Sequence, residues 1–219
     1  MSSQVVYVIE DDEAVRDSVA MLLRLHGNEV VGYASAEAFL QADPHARPAV
    51  ALVDVRLPGI SGLELQRRLT SSGTDLPVVV ITAFGDVAMA RRALRDGAVD
   101  FLEKPVDEAD LVAAVAVALR ADRRRQDELR EHEAMVARLQ RLTERETEVF
   151  ERVTNGMHNR EIAEEFGISQ RTVEVHRARL MEKLQADRVA DLFRLRFALD
   201  VRRGVAIRAD ASSSAVTTR

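Results

Sequence analysis

The sequence predicts an α/β doubly wound, five-stranded parallel sheet (strand order 2-1-3-4-5), followed by a long linker helix and an all-α four-helix domain. Three observations carry this expectation. Short apolar runs alternate five times with amphipathic stretches over the first 120 residues. Proline and glycine are absent from Glu108 to about Gln140, and residues 143–200 show four helical patterns with no strand candidate.

The expected strands are Val5–Ile9, Glu29–Tyr33, Ala49–Val53, Pro77–Ile81 and Val99–Leu102. Runs this short with turn signals behind them, such as Leu57-Pro58-Gly59 after the third, read as buried strands. Amphipathic stretches lie between and after them, near Ala14–Leu25, Ala36–Leu40, Leu63–Leu69, Val87–Arg95 and Glu108–Leu119. Asp107 is a fitting N-cap for the last, with Glu108 and Asp110 in its first turn. That helix continues past the sheet domain. Its 3-4 repeat runs Leu111, Val115, Ala118, Asp122, Arg125, Leu129, His132, Val136, Leu139. Polar residues at three of those places favour a partly exposed connecting helix over a strong coiled coil.

Thr143 with Glu146 forms a capping-box pattern that opens the next helix, and Asn155-Gly156 closes it. Glu161–Phe166 ends at Gly167, Ser169 opens a third helix, and a last one starts near Arg188. The expected domains are therefore residues 4–120, a helical linker over 121–140, and a second domain over 141–202. The tail 203–219, Ser/Thr/Ala-rich at its end, is expected to be disordered.

Charge is uneven. Residues 1–120 hold 11 Lys and Arg against 18 Asp and Glu, and the remainder holds 20 against 18. An acidic front half and a mildly basic rear half fit a regulatory module joined to a nucleic-acid-binding one. The absence of cysteine excludes disulfides and thiolate metal sites. The longest apolar stretch, Leu111 to Leu119, is about half of what a spanning helix needs. A cytoplasmic protein without membrane contact is expected.

Chemistry concentrates at the predicted strand ends. Glu10-Asp11-Asp12 follows the first strand, Asp54 the third, Thr82 the fourth and Lys104-Pro105 the fifth. In an open α/β sheet of this order the ligand crevice lies at the ends of strands 1 and 3. Clustered carboxylates repel unless a cation joins them, and Mg²⁺ suits a few carboxylates plus a substrate phosphate. Thr82 could hydrogen-bond a phosphoryl oxygen and Lys104 could ion-pair with another. The acidic pair is either Glu10-Asp11 or Asp11-Asp12. Five histidines at 26, 45, 132, 158 and 176 show no metal-ligand spacing.

In the second half, Arg160 to Leu184 reads helix, tight turn, helix. At 100° per residue, Val173, Leu180 and Leu184 share a core face. Arg171, Glu174, Val175, Ala178 and Glu182 lie opposite, flanked by Thr172 and Arg179. Arg171, Thr172 and Arg179 can reach phosphates. Glu174 can accept from a cytosine amine and Val175 can touch a thymine methyl.

Glu10-Asp11, Asp54, Thr82 and Lys104-Pro105, in this order and approximate spacing, resemble the receiver domain of bacterial response regulators over residues 4 to about 120. The resemblance implies that Asp54 is the phosphoacceptor, that Glu10, Asp11, Asp54 and the backbone carbonyl of Arg56 bind Mg²⁺, and that Thr82 and Phe101 form the switch pair. Leu142-Thr143-Glu144-Arg145-Glu146, Asn159-Arg160-Glu161-Ile162-Ala163, Gly167-Ile168-Ser169 and Thr172-Val173-Glu174-Val175-His176-Arg177 resemble the LuxR-type DNA-binding domain. Together they resemble the NarL/FixJ class of two-component regulators, nearest its FixJ-like members. That class implies a partner histidine kinase, a homodimer formed on phosphorylation, and duplex DNA carrying an inverted repeat. Some relatives carry lysines where Glu174 and Ala178 stand, so their base preferences do not transfer.

Two other functions remain to be weighed. An aspartate-nucleophile phosphohydrolase would also phosphorylate Asp54, but such enzymes typically want an acid where Arg56 stands, and no cap domain is evident, so no enzyme is expected. A phosphorylation-dependent protein-binding adaptor would leave the helical half without DNA. Arg56 and Phe84, two residues beyond Asp54 and Thr82, are expected to border the water path that hydrolyses the phosphoryl group.

Overall fold

The structure, a computed structural model, describes residues 4–83 and 85–197. Phe84 and the tail 203–219 lie outside the described residues. Two compact units divide between Leu129 and Arg130.

The first unit is a five-stranded parallel sheet ordered β2-β1-β3-β4-β5, as the alternating pattern required. Its strands are β1 Val5–Ile9, β2 Glu29–Tyr33, β3 Ala49–Asp54, β4 Val78–Thr82 and β5 Asp100–Glu103. The central strands β1, β3 and β4 are buried along their whole length, while the edges β2 and β5 are partly exposed. Alternation along a strand sends successive side chains to opposite faces. Tyr7, Ile9, Ala51 and Val53 accordingly enter one core with Phe39 and Leu65; Val6, Val8, Leu52 and Val79 enter the other with Leu23, Leu111 and Val115. Helices α1 Glu13–Leu25, α2 Ala36–Ala42, α3 Gly62–Ser71, α4 Val87–Arg95 and the start of α5 Glu108–Leu139 supply those layers.

Helix α5 is unbroken over all 32 of its residues. Two of the three polar members of its repeat have uses that the sequence did not disclose. Asp122 is fully buried and accepts a 2.8 Å hydrogen bond from the amide of Ala49, the first residue of β3, with Arg47 3.9 Å away. Arg125 pairs with Asp75. The first turns beyond residue 120 thus bond to the sheet unit. Asp122→Ala is expected to destabilise this unit by about 2–3 kcal/mol, because it strands a buried amide and a guanidinium. Faster hydrogen exchange at the β3 amides, with unchanged exchange in α8, checks it.

The second unit contains α6 Glu144–Thr154, α7 Asn159–Phe166, α8 Gln170–Leu184 and helical residues 189–197. Thr143 and Glu146 close the capping box, and Gly167 ends α7 in the left-handed region at φ 65°, where a residue without Cβ is least strained. Val149, Phe150, Ile162, Val173, Leu180, Leu184 and Leu192 form one core. Within it Glu146, nearly inaccessible, accepts from Lys183 Nζ at 2.5 Å and from the Thr143 amide at 2.8 Å.

Candidate functional site

Parallel pairing in register brings the strand ends to one edge. Ile9 pairs with Val53, Asp54 with Ile81, and Thr82 with Glu103, so residues 10, 54, 82 and 104 meet there. Lys104 Nζ lies 2.6 Å from Glu10 Oε2 and 3.4 Å from Asp54 Oδ2. One ligand oxygen from each of Glu10, Asp11 and Asp54 falls within 4.8 Å of the others. Thr82 is fully buried at its strand end, and its carbonyl accepts from the Lys104 amide at 2.8 Å. The Lys104-Pro105 bond is cis.

Three carboxylates against one ammonium leave the cluster with an excess of negative charge. Burial pushes the Glu10 carboxyl above its ordinary pKa, only partly opposed by the hydrogen bond from Lys104. Burial pulls the Lys104 ammonium down, but the hydrogen bond to Glu10 and the charge of Asp54 outweigh it and hold Lys104 above its ordinary value. Asp54 Oδ1 is buried with no hydrogen-bond partner. A hard divalent cation fits this donor set, because it satisfies the orphaned oxygen and offsets the surplus charge together. Glu10, Asp11 and Asp54 are the side chains that would hold it.

Asp12 is not part of the cluster. Its Oδ1 accepts from the amides of Ala14 and Val15 and so caps α1, which leaves Glu10 and Asp11 as the acidic pair at the crevice. Arg16 donates to the backbone carbonyls of Glu10 at 2.8 Å and Asp11 at 3.4 Å. Arg56 is exposed in the loop after β3. Phe101 is half-buried on β5. A Cβ on Gly85 would lie 2.8 Å from Phe101 Cε1 and 3.2 Å from Thr82 Cγ2, so Gly85 keeps open the space between the two residues of the expected switch pair. A glycine three places after a strand-end threonine was the only signal of this in the sequence.

The model of the response regulator receiver domain matches residues 6–116, and that of the luxR family of bacterial regulatory proteins matches residues 140–195. The transcriptional regulatory protein FixJ of Azorhizobium caulinodans is 44% identical over 87% of this chain and 90% of its own length. FixJ of Rhizobium meliloti is 41% identical over 90% and 97%.

The chain belongs to the FixJ-like response regulators.

Among solved structures, the response regulator StyR superposes with a TM-score of 0.80 at 36% identity, covering 88% of this chain and 98% of its own. Full-length FixJ from B. japonicum gives 0.56 at 37%, covering 92% and 99%. As a FixJ-like regulator, the protein is a phosphorylation-controlled transcription regulator of a two-component system. The relatives that establish this are transcriptional regulators. Among the described residues no helix is long and apolar enough to cross a membrane.

In this FixJ-like chain the second helix of the helix-turn-helix is α8. Val173, Leu180 and Leu184 are buried, whereas Arg171, Thr172, Glu174, Val175, Ala178, Arg179 and Glu182 are all exposed, as the helical angles anticipated. Two local bonds bear on that face. Arg171 pairs with Glu174 at 3.2 Å, and Thr172 Oγ1 lies 2.8 Å from Ser169 Oγ. An exposed pair of this kind is worth well under about 1 kcal/mol, so either side chain can leave it for a nucleic acid. Arg177 is turned to Asn159 Oδ1 at 2.7 Å and braces α8 against α7.

Proposed function

We propose that Asp54 is the phosphoacceptor of this FixJ-like regulator and that α8 is its DNA-reading helix. The observation that carries the first assignment is the convergence of Glu10, Asp11, Lys104 and Thr82 on a buried, half-satisfied Asp54 carboxylate. An Asp54 oxygen attacks the phosphorus of a phosphohistidine on a partner histidine kinase; the P–N bond breaks and an acyl phosphate forms. Lys104 pairs with a phosphoryl oxygen and Thr82 hydrogen-bonds another. Glu10, Asp11, Asp54 and the Arg56 carbonyl would hold Mg²⁺, which would supply positive charge against the transferring phosphoryl oxygens.

Thr82 is drawn toward the phosphoryl group, and Phe101, whose ring already packs on Gly85, follows into the space that Thr82 leaves. This changes the α4–β5–α5 face. Two copies pairing through that face present two α8 helices to an inverted repeat of duplex DNA. Arg171, Thr172 and Arg179 contact phosphates, while Glu174, Val175 and Ala178 face base edges. The domain limits 4–120, 121–140 and 141–202 belong to the same reading, with a cytoplasmic site of action.

Selection of bound sites from random duplex DNA by phosphorylated protein tests the DNA half. With the selected site, Arg171→Ala is expected to weaken binding on all sequences and to lower the salt slope by about one unit. Val175→Ala is expected to cost affinity only at particular base pairs. Identical behaviour of both variants on specific and random DNA would rule out the assigned groove face.

A further inference from the structure

The loop between β3 and α3 carries the Arg56 carbonyl, and its conformation is set from outside. At its base, the Val55 amide donates to the Ile81 carbonyl at 2.9 Å, and the Gly62 amide donates back to the Val55 carbonyl at 3.1 Å. Gly62 packs so close to the Asp54 carbonyl that an added Cβ would overlap it. At the far side the loop is held by a residue of another helix. Glu37, in the first turn of α2, accepts a 2.8 Å hydrogen bond from the Ile60 amide through Oε1. Gly59 stands beside it at φ 73°, and a Cβ there would collide with the same Glu37 oxygen. Val55 and Leu57 are buried on either side of Arg56. The stretch carrying the Arg56 carbonyl is therefore held at its base by strand bonds and at its apex by the Glu37 carboxylate beside Gly59.

Glu37 also supplies the acidic residue in the first turn of α2. It is exposed, contributes nothing to either core, and reaches across 23 residues of sequence to bond a backbone amide. The hydrogen bond from Ile60 is the largest of the interactions that hold its carboxyl below the ordinary glutamate value.

We propose that Glu37 is a positioning residue for the metal site: by anchoring Ile60 it orders the loop whose Arg56 carbonyl would serve the cation of the acidic cluster. The inference rests on the proposed metal set of Glu10, Asp11, Asp54 and Arg56. Glu37 touches neither cation nor phosphoryl group. Its contribution is preorganisation, which appears as affinity because a loop free to move must be ordered when the ion binds.

The test is calorimetric titration of Mg²⁺ into full-length wild type, Glu37→Ala, Glu37→Gln and Asp11→Asn, with melting temperatures in EDTA and phosphorylation rates from a small-molecule acyl phosphate. Glu37→Ala is expected to weaken Mg²⁺ binding about tenfold, equivalent to about 1.4 kcal/mol, with an EDTA melting temperature within a few degrees of wild type. Its phosphorylation rate is expected to return to the wild-type value at saturating Mg²⁺. Glu37→Gln keeps an acceptor for the Ile60 amide and is expected to recover most of the affinity. Mg²⁺ affinity within twofold of wild type in Glu37→Ala, beside clear loss in Asp11→Asn, would overturn the role of Glu37 alone. A large fall in the EDTA melting temperature would reduce that role to structural support and overturn it too. Undiminished Mg²⁺ binding by Asp11→Asn would overturn the metal reading itself and the Glu37 role with it.

Discussion

Asp54→Asn is expected to lose all acid-labile, Mg²⁺-dependent phosphate incorporation, from a kinase or from a small-molecule donor. The amide is a far poorer nucleophile than the carboxylate, and it removes one charged oxygen from the three-acid cluster. Loss of nucleophile and loss of cation affinity act on the same step, so the fall should exceed about a thousandfold, or roughly 4 kcal/mol of barrier. Folding should persist. Lys104 keeps its shorter bond to Glu10 at 2.6 Å, and neutralising one of three crowded carboxylates relieves repulsion. DNA binding in the variant should no longer respond to phosphoryl donors. Radiolabel retained by Asp54→Asn at a rate near that of wild type would place the phosphoacceptor elsewhere.

The second large effect concerns the DNA-binding unit. Lys183→Met should destabilise that unit by about 3 kcal/mol, the low end for breaking a buried pair, since the lysine is one-third exposed. The cost arises from Glu146, left with its carboxylate buried and only the Thr143 groups to satisfy it. The double variant Glu146→Gln with Lys183→Met should recover much of the loss, because it removes the stranded charge along with its partner. Denaturant melts followed in the second unit separate the cases. A double variant no more stable than Lys183→Met would show that the lysine acts through something other than this pair.

The same pair sets an acid limit. Burial alone would raise the Glu146 pKa, but the hydrogen bonds from Lys183 and Thr143 outweigh it and leave the folded value below the ordinary 4.5. A carboxyl depressed by folding gives stability that is complete above its unfolded pKa and is lost as the pH falls through the folded one. The second unit should therefore hold its stability down to about pH 5 and lose part of it below about pH 4. In Glu146→Gln that component of the acid dependence should be absent.

Much of this protein was determined by sequence alone. Five apolar runs with helical stretches between them specify a parallel sheet in the order 2-1-3-4-5, because period and run length record which faces are buried. The acids and lysine at the strand ends were legible for the same reason. Parallel strands deliver their C-terminal ends to one edge, so residues 10, 54, 82 and 104 had to meet. The box of Thr143 and Glu146 and the stripe of Val173, Leu180 and Leu184 are spacings within one helix, and they too could be read directly. Tertiary structure alone decided how the polar side chains pair. It turned Asp12 into a helix cap and left Glu10 with Lys104. It buried Asp122 against an amide 73 residues away, joined Glu146 to Lys183, and set Glu37 on the loop beyond Asp54. Such contacts follow no period. A hydrogen bond between distant elements depends on positions within a few tenths of an ångström, and those are set only when the cores on both faces of the sheet have packed.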